Sequence, residues 1–154
     1  MGDTMEQGLI GNNKMVQVGI IVNDIEKTAA DYAEFFGIEK PGAIVTDPIE
    51  KAETEYKGNP SEARAKLAFM DFGSLQVELI EPDEHPSTWR EFLEEHGEGI
   101  HHVAFFIDGM KEKVMTLTGK GFALDQKGEY TGGRYAYINT RDKLKTMIEL
   151  LEND

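Results

Sequence analysis

The sequence has no cysteine among its 154 residues, which excludes a disulfide framework and a thiolate metal site. Any bound metal must then use oxygen and nitrogen ligands, a set that suits Mg, Mn, Fe, Co, Ni or Zn. No apolar run approaches the roughly 20 residues that span a bilayer, and the polar start from Gly2 to Lys14 lacks the apolar centre of a secretion signal. A membrane is therefore not an expected partner, and the expected location is the cytosol. Basic residues are scarce: 16 Lys and Arg stand against 29 Asp and Glu, a formal net charge of -13. Binding to a phosphate backbone needs a basic surface, so nucleic acid is not an expected partner and the acidity reads as a solubility device. The length suits one domain, in which folding hides roughly 70% of the surface that the unfolded chain exposes.

What the chain does have is an internal repeat. Val16-Gln17-Val18-Gly19-Ile20-Ile21-Val22-Asn23-Asp24-Ile25 aligns with His101-His102-Val103-Ala104-Phe105-Phe106-Ile107-Asp108-Gly109-Met110, and Val77-Glu78-Leu79-Ile80-Glu81 aligns with Ile148-Glu149-Leu150-Leu151-Glu152. Two similar halves imply a duplicated module. Gln17 then matches His102 and Glu78 matches Glu149, so four side chains able to bind a cation occupy two pairs of equivalent strand positions. If the halves face each other about a pseudo-twofold axis, the four converge.

Residues 1–14 read as a loose polar tail. Met15 to Val22 reads as a strand, Asp24 as the cap of a helix with the stripe Ile25, Ala29, Tyr32 and Phe36, and Gly37 as its stop. In the second half Asp108 is expected to begin a helix with Met110, Val114 and Leu117 on its stripe. Strands are expected at Ala43 to Thr46, Glu53 to Tyr56, Arg64 to Phe72, Phe122 to Gln126 and Arg134 to Thr140. Each module thus reads strand, helix, three strands: about 15–82 and 100–152 within one domain of 15–154, joined by a linker over 83–99. In that linker Thr88 and Glu91 form an expected capping box, with Trp89, Phe92 and Leu93 to bury. The first half is longer by 14 residues, placed in Asp47 to Ala63, either a substrate-facing loop or a plain surface loop.

Strand alternation puts Leu75, Val77 and Leu79 on one face and Gln76, Glu78 and Ile80 on the other. The same parity turns Gln17, His102 and Glu149 away from the helices. That second face is either a site or simply wet. His101 falls on the helix-facing parity, where a satisfied structural role is expected, and His85 and His96 read as surface residues of the linker.

The Gln17-Val18-Gly19 start, the two Glu strands and above all Gly97-Glu98-Gly99-Ile100-His101-His102-Val103-Ala104-Phe105 resemble the vicinal oxygen chelate superfamily, from about Met15 to Glu152. The likeness is greatest to methylmalonyl-CoA epimerases, through the Gly-Glu-Gly-Ile-His-His segment and Glu81-Pro82, and then to glyoxalase I enzymes. The resemblance implies an α+β fold of two tandem βαβββ modules, forming a cupped, partly closed mixed sheet with helices outside. It also implies one divalent ion (Co, Ni, Zn, Mn or Mg) held by Gln17, Glu78, His102 and Glu149, and a homodimer. The implied chemistry is isomerisation or epimerisation next to a carbonyl, with Glu149 as base and Glu78 as its partner, on a small substrate for which an acyl-CoA is favoured.

Epimerases usually carry His where this chain has Gln17, and place a further carboxylate near the position of Lys66. Glutathione-dependent glyoxalases place Arg and Asn where this chain has Ile21 and Pro82, so the alternative lyase reading concerns a thiol adduct other than glutathione. A metal-free binder of the bleomycin-resistance type is a third reading. For an anionic substrate the candidates are Arg64, Lys66 and Arg134, with Lys57 beside them, each of which also reads as a solvated surface residue.

Overall fold

A computed structural model describes residues 8–154. The chain runs β1 (Gln17–Ile21), α1 (Ile25–Phe36), β2 (Ile44–Val45), α2 (Ile49–Ala52), β3 (Glu55–Tyr56), β4 (Asn59–Pro60), β5 (Ala65–Asp71) and β6 (Gln76–Pro82). It continues through α3 (Thr88–His96), β7 (Gly99–Phe106), α4 (Met110–Gly119), β8 (Ala123–Tyr130), β9 (Gly133–Asn139), α5 (Arg141–Leu144) and β10 (Met147–Asn153). One curled mixed sheet has the order β2-β5-β6-β1-β7-β10-β9-β8-β3-β4. The modules meet where β1 pairs antiparallel with β7, and each inner strand pairs parallel with the Glu strand of its own module, β1 with β6 and β7 with β10. This is the expected α+β architecture of paired βαβββ modules, with helices outside a cup. No helix among the described residues is long and apolar enough to cross a membrane.

Three apolar clusters hold these layers together. Outside, Ile25 and Ala29 of α1 cover Ala68, Met70 and Leu79, while Leu117 of α4 covers Ala136, Ile138 and Leu150. Inside, α3 plugs one end of the cup, its Trp89 and Phe92 packing on Ile21, Ile80, Tyr137 and Met147. Burying each such large side chain contributes about 1.5–3 kcal/mol.

Several local expectations are corrected. Helix α1 is capped as expected by the Asp24 side chain and closed by Gly37 in the left-handed region. Helix α4 instead begins at Gly109 with no cap from Asp108: the Glu152 carboxylate accepts from the Gly109 and Met110 N–H groups at 2.8 and 3.1 Å. A φ of 73° at Gly109 turns the chain so that these donors aim at β10. Helix α3 is capped by Ser87, not Thr88. Leu9 and Ile10, expected in a loose tail, pack against the α4 cluster, and the rest of that expectation over 1–7 lies outside the described residues.

The largest departure lies in the first-module insertion. Glu55 and Tyr56 do not extend their own module: β3 pairs with β8, placing Glu55 opposite Lys127 and Tyr56 opposite Gln126. The segment between β2 and β3 thus runs from one edge of the sheet to the other.

Candidate metal centre

β1, β6, β7 and β10 are the four adjacent central strands, and their cup-facing positions carry Gln17, Glu78, His102 and Glu149. All four side chains are buried. His102 Nε2 lies 3.0 Å from Gln17 Oε1, 3.1 Å from Glu149 Oε1 and 3.5 Å from Glu78 Oε1. The ligand atoms of Glu78, His102 and Glu149 fall within 4.8 Å of one another, and all come from one chain.

Neighbours fix this arrangement. Gln76, opposite Gln17 in the parallel register, accepts a 2.6 Å bond from Gln17 Nε2 and so turns the Gln17 oxygen toward the centre. Gly19 faces the His102 ring so closely that a Cβ there would sit 2.0 Å from Cε1. The β1–β7 register steps from Gly19 opposite His102 to Ile20 opposite Ile100, leaving His101 as the extra residue of a bulge. Such a bulge re-aims a side chain. It brings His101 between the ring of Tyr137, 5.1 Å between centroids, and Thr88 and Phe92 of the inner helix α3, rather than onto the outer helices that simple alternation assigned. His101 is fully buried, and that burial, followed by His102 and Arg141, pushes its pKa well below the ordinary histidine value.

Glu78 Oε1 and Glu149 Oε1 are buried without a hydrogen-bond partner. Both lie within 3.5 Å of His102 Nε2 yet make no hydrogen bond to it. Burial, with Glu149 beside it, pushes the Glu78 pKa well above the usual carboxylate range. Orphaned buried carboxylate oxygens are costly. A divalent cation offsets both the missing bonds and the repulsion, and the amide, carboxylate and imidazole donors suit one. The residues present therefore fit a metal.

The centre opens into a cavity of about 550 Å³. Phe69, Trp89, Tyr135 and Tyr137 supply apolar wall, Thr54 and Asp47 come from the insertion, and Glu129 adds a further acidic group beside Asp47, Glu78 and Glu149. Tyr130, also on the wall, has its pKa pushed up to about 12, first by burial and then by Glu149, and so stays a hydroxyl donor. None of the lining residues is Lys or Arg.

The three cations expected to meet the substrate lie elsewhere. Lys66 shares the helix-facing parity of Ala68 and Met70 and pairs with Glu81 at 3.6 Å. Arg134 shares the parity of Ala136 and Ile138, and its guanidinium binds Glu152 and Asp154 at 2.9 and 2.5 Å. Arg64 donates from Nε to the Thr46 carbonyl. Lys57 is tied to Glu91 at 2.7 Å. On β5 the positions that line the cavity are Leu67 and Phe69, and Asp71 at the end of the strand does not reach it.

A cup of two βαβββ modules with one polar ligand position on each central strand defines a class of fold. The chain belongs to the glyoxalase/bleomycin resistance protein/dioxygenase superfamily, whose family model matches residues 16–138. Among individual proteins it is similar to the uncharacterized protein YqjC of Bacillus subtilis, 27% identical over 91% of this chain and 92% of that one. It is 27% identical to human mitochondrial methylmalonyl-CoA epimerase over 70% of this chain and 53% of that protein. The methylmalonyl-CoA epimerase structure from Mycobacterium tuberculosis shares the fold, with a TM-score of 0.58 and 23% identity over 100% of this chain and 93% of that one.

Proposed function

We propose that the chain is a metal-dependent isomerase or epimerase that moves a proton on a carbon next to a carbonyl, similar in activity to methylmalonyl-CoA epimerase. The observation that carries this reading is the pair of buried carboxylates, Glu78 and Glu149, set on either side of His102 with an unpartnered oxygen each. Gln17, Glu78, His102 and Glu149 would hold the ion, which supplies a Lewis acid worth several kcal/mol to negative charge developing on a substrate oxygen.

The chain's own residues do the rest. Glu149 takes the C–H proton and afterwards gives it up to solvent, while Glu78, after taking a proton from solvent, returns it to the carbon from the opposite side, which is what inversion at carbon requires. Apolar wall from Trp89 and Tyr137 excludes water from the two carboxyl groups. An acyl-CoA fits if its acyl and thioester part enters the cavity while its phosphates stay outside, because no cation lines the wall. That same absence favours a second reading, a glyoxalase-type lyase acting on an uncharged thiol adduct. It argues further against glutathione, whose carboxylates would meet no partner there.

Elemental analysis followed by solvent-deuterium exchange into acyl-CoAs and 2-oxo compounds tests the proposal. Glu149→Gln should keep the ion better than Glu149→Ala yet lose turnover by about 100-fold or more. Wild-type turnover in Glu149→Gln removes it as the base. Cation-free purified protein that binds none of Mg, Mn, Co, Ni or Zn ends the metal reading.

A further inference from the structure

We infer that Thr88, His101 and His102 form a two-way relay in which Thr88 and His101 act as positioning residues, setting which nitrogen of His102 carries the hydrogen and so whether Nε2 offers the centre a lone pair. The inference rests on the metal reading of that centre. Because of the bulge opposite Gly19, consecutive histidines meet ring to ring, with Nδ1 of His101 2.9 Å from Nδ1 of His102. Two such nitrogens can bond only if one carries the hydrogen and the other does not. On its far side His101 Nε2 lies 3.1 Å from Thr88 Oγ1. All three residues are buried, at 2%, 0% and 0% exposure in that order, so an unmatched nitrogen would have no solvent to turn to.

Two arrangements satisfy this chain of atoms. Without a cation, His102 carries its hydrogen on Nε2 and aims it at Gln17 Oε1, 3.0 Å away. Its Nδ1 then accepts from His101 Nδ1–H, and His101 Nε2 accepts from the Thr88 hydroxyl. To offer Nε2 as a ligand, His102 must carry the hydrogen on Nδ1 and donate it to His101 Nδ1. His101 must in turn carry its hydrogen on Nε2 and donate to Thr88 Oγ1. One hydrogen leaves His102 Nε2 for solvent and one enters from solvent at Thr88, so each ring loses one N–H and gains one, both stay neutral and the number of protons is unchanged.

Thr88 is suited to end such a relay because a hydroxyl both donates and accepts, whereas a carbonyl or an amide NH would permit one arrangement only. It is also held in place: its N–H donates to Gln126 Oε1 at 2.8 Å, and Gln126 Nε2 donates to the Tyr135 hydroxyl at 3.0 Å. The rings of Phe92 and Tyr137 stand edge-on to His101 at 5.4 and 5.1 Å and prevent it from turning away.

The test is nitrogen-15 NMR of the histidine rings in the full chain, with and without Zn²⁺. The expected result is a paired switch, His102 from Nε2–H to Nδ1–H and His101 from Nδ1–H to Nε2–H. A Zn²⁺-loaded protein with His101 in its metal-free tautomer overturns the relay while leaving the metal centre standing; a wild type that binds no divalent cation takes both down. Thr88→Val, which keeps the shape and loses the hydroxyl, should weaken Co²⁺ binding by about 10-fold or more, whereas Thr88→Ser should stay within about 3-fold. A folded Thr88→Val with wild-type Co²⁺ affinity also overturns the relay, and if that variant does not fold the ring spectra of the wild type decide alone.

Discussion

Gly19→Ala should damage both the fold and the centre, by an amount the geometry bounds. The added Cβ would lie 2.0 Å from His102 Cε1 and 2.5 Å from both ring nitrogens. Carbon atoms pack at roughly 3.5–4.0 Å, so the ring must withdraw by about 1.5 Å. It has nowhere to go: His102 is fully buried, with the Tyr137 ring at 5.1 Å and His101 at 5.1 Å. Overpacking of this kind costs about 1–3 kcal/mol, which for a chain of this size lowers the melting temperature by about 2–12 °C. The same displacement exceeds the roughly 0.2 Å tolerance of a coordination bond, so cation affinity should fall by more than the roughly 10–100-fold that losing an outer partner costs. Calorimetric titration with Zn²⁺ beside thermal melts of the metal-free protein reads both effects. Gly133→Ala serves as control, since its Cβ would meet the Glu152 carbonyl at 2.4 Å and not a ligand ring. It should melt low yet bind the cation normally. A Gly19→Ala protein that melts and binds like the wild type would refute the close approach on which this reasoning rests.

The raised pKa of Glu78 implies that cation binding expels a proton, so affinity should climb with pH until Glu78 ionises unaided; titrations in two buffers of different ionisation heat check the release. The metal-free fold should behave oppositely: a carboxyl raised above its unfolded value stabilises at low pH and loses that contribution as pH rises through the raised value, a slope that Glu78→Gln should flatten in melts. Glu152→Ala should cost about 1 kcal/mol through the lost start of α4, whereas Asp108→Ala should cost less than about 0.5 kcal/mol, as denaturant melts would report. Neutral replacements of Arg64, Lys66 or Arg134 should leave the substrate KM within about 2-fold, because none lines the cavity; a large rise for any one would return it to the site. Trp89 is the single tryptophan and lies on the cavity wall, so ligand entry should change its fluorescence, and a bound ligand without such a change would place binding elsewhere.

Much of this was legible because β-strands alternate and the chain repeats. Period two put Gln17, Glu78, His102 and Glu149 on one face, and the repeat paired them without any need for contacts. The same alternation puts Lys66 on one face with Ala68 and Met70, and Arg134 on one face with Ala136 and Ile138, which points both cations at the helices. Gln76 could have been found by aligning the parallel strands, since it stands opposite Gln17. His101 could not, because one extra residue opposite Gly19 resets the alternation and only the register reveals it. The helix start at Gly109 was hidden for a different reason: its cap comes from Glu152, 43 residues away, and no local pattern encodes a partner so distant. The crossing of β3 to the far edge is likewise a long-range pairing that local propensity does not report.

That crossing also orders the assembly of the molecule in time. Synthesis proceeds from the N-terminus, and β3 and β4 leave the ribosome about 70 residues before the strand β8 on which β3 must lie. Until then the pair waits as a two-stranded ribbon, which alone is at best marginally stable in water. Its docking is among the most non-local contacts in the chain, and such contacts set the pace of folding. The acidic side chains of Glu53 and Glu55 accompany the ribbon through that wait, and charge on an unpaired edge hinders pairing with a second nascent chain.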